Sequence, residues 1–178
     1  MTKKIAILAT DNFEDSELSE PYARFRDAGF KVLIIGPSAG SEIAGKNSQF
    51  KVASDLAVES VSVDDFDALV IPGGYSPDRL RLNPSAVEFT RAFGLSGKPI
   101  AAICHAAQLL ISAGLVSGRK LTCWPSVKID VINAGGNYID EPVVIDGNLI
   151  TSRKPADLPQ FIDAVISSLE CEEQRLSA

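Results

Sequence analysis

The chain has 178 residues, of which 46% are hydrophobic and 22% charged, and its formal net charge is −6. A chain of this length can bury its own core as one domain. The acidic balance argues against a dedicated nucleic-acid-binding protein, because neutralising phosphates requires clustered Lys and Arg. The cysteines are too few and too far apart to predict a disulfide framework or a zinc site; they are Cys104, Cys123 and Cys171. We therefore expect one domain over residues 1–170, a flexible tail over 171–178 and a cytoplasmic location.

Short, continuous apolar runs recur along the chain and predict strands. They lie at 4–10, 31–36, 68–74 and 99–104. Runs of this kind are typical of strands that are buried on both faces, as in a parallel sheet. The last run opens an uncharged stretch, 99–118, that has the length of a membrane helix. The proline, histidine and glycines within that stretch favour a buried strand followed by a helix, so no membrane association is expected.

Between these runs lie helical patterns with recognisable ends. Apolar residues at helical spacing over 18–28 precede Gly29, and glycine is the usual residue just beyond a helix C-terminus. Asn83 and Pro84 are typical of a helix start, as the cap and the first turn. Further helices are predicted after Cys104 up to Gly114 or Gly118, over 124–136 and over 156–170.

Two segments depart from the alternation of strands and helices. Residues 141–153 place Asp-Gly-Asn between β-branched runs, which indicates a β-hairpin. Residues 37–67 mix Gly, Ser and short alternating pieces, which we interpret as a small antiparallel excursion. The whole pattern predicts an α/β sandwich with a mostly parallel sheet.

The candidate nucleophile is Cys104, which ends a predicted strand and is followed by His105, the only histidine in the chain. A sharp strand-to-helix turn would place the thiol at the carboxyl edge of the sheet, where open α/β folds bind ligands. The start of the following helix would lower the pKa of the thiol and favour the thiolate. The alternative is an inert buried cysteine, which behaves as a small hydrophobic residue.

Two further stretches are predicted to reach the same edge of the sheet. Gly73 and Gly74 lie at the end of the run at 68–74, and the N–H groups of Gly74 and His105 are candidates to hold an oxyanion. An ordinary Gly-Gly turn is the alternative. Near the first strand, Glu14, Asp15 and Glu17 either complement a helix N-terminus or bring one carboxyl to the thiol, where its pKa would be raised. Asp78 is a candidate to orient His105.

Four segments together resemble the PfpI family of the class I glutamine-amidotransferase-like superfamily, over residues 3–170. They are "ATDNFEDSEL", "IPGGYSPDRLR", "AAICHAAQLLISAGLVSGRKLT" and "NLITSRKPADLP". The resemblance implies a flavodoxin-like α/β sandwich that assembles as a homodimer or higher homo-oligomer.

The same resemblance assigns roles to individual residues. It implies that Cys104 is the nucleophile, with His105 as its partner, and that Glu14 is the carboxyl bonded to the thiol. Gly74 and His105 match the oxyanion donors. Asp78 corresponds to an acid that reaches the histidine of a neighbouring subunit, so the active site would be shared. One departure, Ala106–Ala107 where family members often have Gly-Pro, bears on substrate choice rather than on the fold.

Three functions follow from the resemblance, none of them requiring a metal or an organic cofactor. The first is a cysteine-dependent stress-response hydrolase that acts on small reactive dicarbonyls or on their early adducts with proteins (a deglycase or glyoxalase). The second is an intracellular cysteine peptidase using Cys104, His105 and Asp78. The third is a redox sensor or holdase chaperone whose Cys104 is oxidised. The fold does not select among these functions.

Overall fold

The computed structural model describes the backbone of residues 2–176 and the side chains of residues 2–170. The strands are β1 Lys4–Leu8, β2 Lys31–Gly36, β3 Glu42–Ala44, β4 Lys51–Ala53, β5 Leu56–Ala57, β6 Ala68–Ile71, β7 Ile100–Ile103, β8 Lys120–Leu121, β9 Asn137–Tyr138, β10 Val143–Asp146 and β11 Leu149–Ser152. The α-helices are α1 Asp15–Asp27, α2 Ser76–Leu80, α3 Pro84–Leu95, α4 Ala107–Ser112, α5 Lys128–Asn133 and α6 Leu158–Leu176.

The central sheet has seven strands in the order β10-β11-β7-β6-β1-β2-β5. All neighbouring pairs are parallel except β10 with β11, which form the expected antiparallel hairpin. The order of the parallel strands β2, β1, β6, β7 and β11 is the 2-1-3-4-5 order of flavodoxin-like folds. The predicted fold class is therefore confirmed. The carboxyl ends of β1, β6 and β7 lie together, next to the point where the strand order reverses.

Alternate residues of each central strand enter two separate hydrophobic cores, as the period of two in a strand requires. On β1, Ile5 and Ile7 pack against one layer, whereas Ala6 and Leu8 pack against the other. Helices α1 and α6 cover the first face, and α3, α4 and α5 cover the second. Because both faces are covered, the strands are continuous apolar runs.

Local signals fix several of the helix ends. The Asn83 side chain accepts hydrogen bonds from the N–H groups of Ser85 and Ala86, as a cap at the start of α3. Gly29 follows α1 with a φ of 88°, which glycine adopts without strain. The segment predicted as one helix over 124–136 is instead a 3₁₀ turn, Pro125–Val127, followed by α5.

The antiparallel excursion predicted within 37–67 is confirmed as the β3–β4 hairpin. The flexible tail over 171–178 and the domain boundary before it stay predictions: the side chains of residues 171–176, including Cys171, and the whole of residues 177–178 lie outside the described residues. Among the residues that are described, no helix combines the length and the apolar character needed to cross a membrane.

Candidate functional site

The predicted turn at Cys104 is present. Strand β7 ends at Ile103, and Cys104 adopts a φ of 62°, in the left-handed region that non-glycine residues rarely occupy. A 3₁₀ turn, Cys104–Ala106, then leads into α4. The turn lifts the side chain to the sheet edge, where 7% of the residue is exposed at a pocket. Such strain is characteristic of nucleophile elbows.

Gly73 and Gly74 make close contact with this turn, and neither position has room for a side chain. A Cβ on Gly73 would lie 2.7 Å from Cys104 Cβ and 2.7 Å from Glu17 Oε2. Gly74 has a φ of 73°, and a Cβ there would lie 2.5 Å from the carbonyl oxygen of Asn12. The backbone can therefore approach the thiol, and the N–H groups of Gly74 and His105 lie where they lower the pKa of Cys104.

The carboxyl beside the thiol belongs to Glu17, so the expectation that Glu14 holds this position is wrong. Glu17 is fully buried, and its Oε2 accepts a hydrogen bond of 2.8 Å from the Gly73 N–H. Its Oε1 is buried and has no hydrogen-bond partner among the described residues. The carboxyl and the Cys104 thiol are close enough to shift each other's pKa. Burial raises the pKa of Glu17 to about 8, against the opposing effect of the Gly73 hydrogen bond.

The position of Glu14 follows from the start of α1. Glu14 is the residue before the first turn, with an extended backbone, and its side chain forms an ion pair with Lys46 at the pocket. Glu17 lies inside the first turn and shares the buried face of the helix with Leu18 and Pro21. The position of Glu17 on the apolar face of α1 could have identified it from the sequence, because an acidic residue on that face is buried when the helix packs.

The thiol and the Glu17 carboxyl are coupled. Burial raises the pKa of Cys104, and the negative charge of ionised Glu17 raises it further, while the N–H groups of His105 and Gly74 lower it. The expectation of a lowered thiol pKa is wrong because burial and the charge of Glu17 outweigh the backbone N–H groups at the start of the turn. The two groups therefore titrate as a pair, which loses its first proton more easily than its second.

His105 lines the pocket, and its ring is stacked on Trp124 with centroids 6.1 Å apart and an interplanar angle of 25°. The Trp124 N–H donates to the Cys104 carbonyl oxygen at 3.1 Å, which anchors this stack to the elbow. Burial lowers the pKa of His105, and the charge of Lys46 lowers it further, so both effects favour the neutral form of the ring. A neutral imidazole can accept a proton from a bound substrate.

Asp78 does not reach the site within one protomer. It is exposed on α2, and no hydrogen bond or ion pair joins it, or the His105 ring, to any residue among 2–170. The structure thus brings Cys104, His105, Gly73 and Gly74 together and leaves Asp78 on the surface. Its expected role toward a neighbouring subunit stays a prediction.

The site is a pocket of about 280 Å³ above the thiol. Its lining consists of Glu14, Lys46, Gly74, Tyr75, Cys104, His105, Trp124 and Pro155. Lys46 was not anticipated from the sequence. It comes from the β3–β4 hairpin, which lies outside the segments that follow β1, β6 and β7. No group of three or more His, Cys, Asp or Glu side chains suited to a metal ion occurs within residues 2–170. The absence of a cofactor stays a prediction.

Comparisons with known proteins agree with this architecture. The family model described as "DJ-1/PfpI family" matches residues 3–168. "Protein/nucleic acid deglycase 2" of Escherichia coli is 51% identical over 162 residues, which are 90% of this chain and 94% of that protein. "Putative cysteine protease YraA" of Bacillus subtilis is 47% identical over 161 residues, or 90% and 95% of the two chains.

A solved structure shows the same fold. The crystal structure of Drosophila melanogaster DJ-1beta has a TM-score of 0.87 and 28% identity, and the match covers 100% of this chain and 99% of that one. The family match spans β1 and the body of α6, and therefore every element that contributes to the pocket. From its sequence and its fold alike, the chain belongs to the DJ-1/PfpI family.

Proposed function

We propose that this protein is a cysteine-dependent deglycase or glyoxalase that acts on reactive dicarbonyls and on their early adducts with amines and thiols. The observation that carries the proposal is one strained thiol and two backbone N–H groups at a small pocket, with one buried carboxyl of raised pKa beside the thiol. Relatives named as deglycases and as a cysteine protease support an enzymatic role.

The chemistry needs no external oxidant or reductant. Cys104 Sγ adds to the aldehyde carbon of methylglyoxal, and the resulting oxyanion accepts hydrogen bonds from the N–H groups of Gly74 and His105. Glu17 or His105 moves the proton of that carbon to the neighbouring carbonyl carbon, which reduces the ketone to an alcohol as the aldehyde becomes a thioester. Water hydrolyses the thioester, releasing lactate and the thiol. With a hemiaminal adduct as substrate, Cys104 Sγ displaces the amine: the C–N bond breaks as the C–S bond forms, and the amine leaves with a proton from Glu17 or His105. The resulting thiohemiacetal then follows the same course.

The size of the pocket favours this reaction over peptide hydrolysis. A volume of about 280 Å³ accommodates a three-carbon dicarbonyl, whereas a peptidase must hold several residues of its substrate. Peptidase activity remains the second candidate because of the relative named as a cysteine protease. A third candidate, a redox sensor or holdase, would use the same thiol without turnover.

Incubation with methylglyoxal, followed by NMR quantification of lactate, tests the proposal. We expect lactate to accumulate catalytically, far beyond one equivalent, with no detectable cleavage of casein or of a fluorogenic peptide. Protein that was alkylated beforehand at Cys104 serves as the control. Casein cleavage without lactate would support the peptidase instead. Absence of both activities, with selective peroxide oxidation of Cys104 seen by intact-mass spectrometry, would support the sensor.

We further propose that a second protomer completes the site with its Asp78. Among residues 2–170 of one protomer no carboxylate is bonded to His105, and Asp78 is exposed between Tyr75 and Leu82, residues that are 67% and 81% exposed. Exposed apolar residues that form one patch are typical of an interface between subunits, and we propose that Tyr75 and Leu82 belong to such a patch. We therefore propose that the active form is a homodimer or a higher homo-oligomer. We also propose that the protein is located in the cytoplasm.

Mixed oligomers of Asp78→Ala and Cys104→Ser protein test this arrangement. Each variant alone should have little methylglyoxal turnover, whereas the mixture should regain part of it, because a protomer with an intact thiol then receives Asp78 from its neighbour. The measurement is lactate formation after the two variants have been unfolded and refolded together. Mixing without any recovery, in samples shown by native mass spectrometry to contain hetero-oligomers, contradicts the shared site.

A further inference from the structure

The β3–β4 turn, residues 45–50, is clamped to the beginning of α1. The Asp15 carboxylate accepts hydrogen bonds of 2.9–3.0 Å from the N–H groups of Asn47, Gln49 and Phe50. These bonds outweigh the burial of the carboxyl and keep the pKa of Asp15 below its ordinary value. Gly45 lies against the same carboxylate, and a Cβ there would collide with it. The turn is therefore attached to the element that carries Glu14 and Glu17.

This attachment places Lys46 at the pocket. The Lys46 N–H donates to the Phe13 carbonyl oxygen at 2.8 Å, so the backbone is held directly beside the segment before α1. The side chain then reaches the pocket, where its ammonium group forms an ion pair with Glu14. Lys46 is the only Lys or Arg among the described residues that line the pocket.

Five titratable groups from three parts of the fold face one another here. Glu14 and Glu17 come from the start of α1, Lys46 from the β3–β4 turn, and Cys104 and His105 from the elbow after β7. Removing one proton from the Cys104–Glu17 pair leaves a buried negative charge, for which a nearby cation is favourable. Glu14 has the opposite effect, because its carboxylate is a like charge that also neutralises the ammonium group.

We propose that Lys46 is a positioning residue for the nucleophile: the β3–β4 hairpin holds its ammonium group where it stabilises the singly protonated, anionic form of the Cys104–Glu17 pair, and Glu14 limits that effect. The hairpin thereby acquires a role in reactivity, although it contributes nothing to the central sheet. The proposal rests on Cys104 being the reactive thiol, but not on the identity of the substrate.

The signs of the electrostatic effects agree with this geometry. The charge of Lys46 lowers the pKa of Glu17, whereas that of Glu14 raises it. In return, the charges of Cys104 and Glu17 raise the pKa of Lys46, after the larger effect of its hydrogen bond to Glu14. Lys46 also lowers the pKa of His105, in second place after burial.

The test measures the rate of Cys104 alkylation by iodoacetamide as a function of pH in two variants of opposite sign. We expect Lys46→Met to move the midpoint of the profile upward by roughly 0.5–1 pH unit and Glu14→Gln to move it downward, as for a charge removed near an ionising pair. At pH 7 the Lys46→Met protein should then react about three- to tenfold more slowly. Lys51→Met is the matched control, because Lys51 is exposed on the same hairpin and pairs with Glu42.

A second readout uses the single histidine of the chain, whose ring signals can be assigned without ambiguity by NMR. Lys46→Met should raise the pKa of His105, and Lys51→Met should leave it unchanged. The proposal is overturned if the midpoints of the alkylation profiles of Lys46→Met and Glu14→Gln move in the same direction or do not move. If Lys46→Met does not fold, the same comparison is made between Glu14→Gln and Lys46→Gln. Neither readout requires turnover, so the role of Lys46 can be tested even if the protein does not catalyse the proposed reaction.

Discussion

Replacing Cys104 by serine is expected to reduce methylglyoxal turnover by roughly 10³-fold or more, to the level of the uncatalysed reaction. A serine hydroxyl has a far higher pKa than a thiol, and the neighbouring Glu17 carboxyl is too weak a base to ionise it. The loss should appear in kcat, because the pocket and its two N–H donors persist. Lactate formation in steady state, for both proteins, is the measurement.

The matched control for this prediction is Cys123→Ala. Cys123 is fully buried in the core, and burial raises the pKa of its thiol to about 12, with a smaller contribution from Asp130. Its removal should leave turnover near that of the wild type, provided that circular dichroism confirms the folded state. Wild-type rates in the Cys104→Ser protein would exclude a cysteine mechanism, and equal losses in both variants would point to a general effect on folding.

The Glu17→Gln variant should show a loss of turnover of roughly 10²–10⁴-fold, the range for removal of a group that transfers protons. Glutamine preserves the size of the side chain and can still accept the hydrogen bond from the Gly73 N–H, but it cannot exchange a proton with the substrate. Alkylation of Cys104 at pH 7 should change much less than turnover. The control is Glu20→Gln, which makes the same substitution at an exposed position of α1. Activity retained in Glu17→Gln would show that the proton is moved by His105 alone.

The same variant carries a prediction about stability. The folded-state pKa of Glu17, about 8, lies above the ordinary value of 4.5, so the folded protein binds an additional proton between these limits. The stabilisation is complete below pH 4.5 and is lost as the pH rises through about 8. Urea unfolding from pH 5 to 8 should therefore show a decline in the wild-type free energy of unfolding that is reduced in Glu17→Gln.

His105 contributes with the opposite sign, since its lowered pKa means that stability is lost as the pH falls below 6.5. This contribution is present in both proteins and cancels when they are compared. Parallel profiles for wild type and Glu17→Gln would show that the carboxyl is ionised throughout this range, and the coupled description of the Cys104–Glu17 pair would then be wrong.

Much of the fold was predictable because its signals are local. The apolar run at 31–36 coincides with β2, the run at 99–104 contains β7, and Asn83 caps α3 as its sequence context indicates. The elbow at Cys104 was predictable for the same reason, because a predicted strand ends and a predicted helix begins at Cys104–His105, which requires a sharp turn there. The approach of Gly73 and Gly74 to the edge that carries Cys104 was predictable, although the contact of Gly73 with Glu17 was not.

The sequence by itself determined the α/β class, the edge of the sheet that carries the site, and the thiol, histidine and glycines found there, because periodicity and caps act between residues near one another in the chain. Only the tertiary structure decided which of the acids Glu14 and Glu17 faces the sulfur, that Lys46 arrives from a separate hairpin, and that burial raises the pKa of the thiol. These outcomes depend on packing and electrostatics between segments remote in sequence: the hydrogen bond that holds Glu17 in place spans 56 residues.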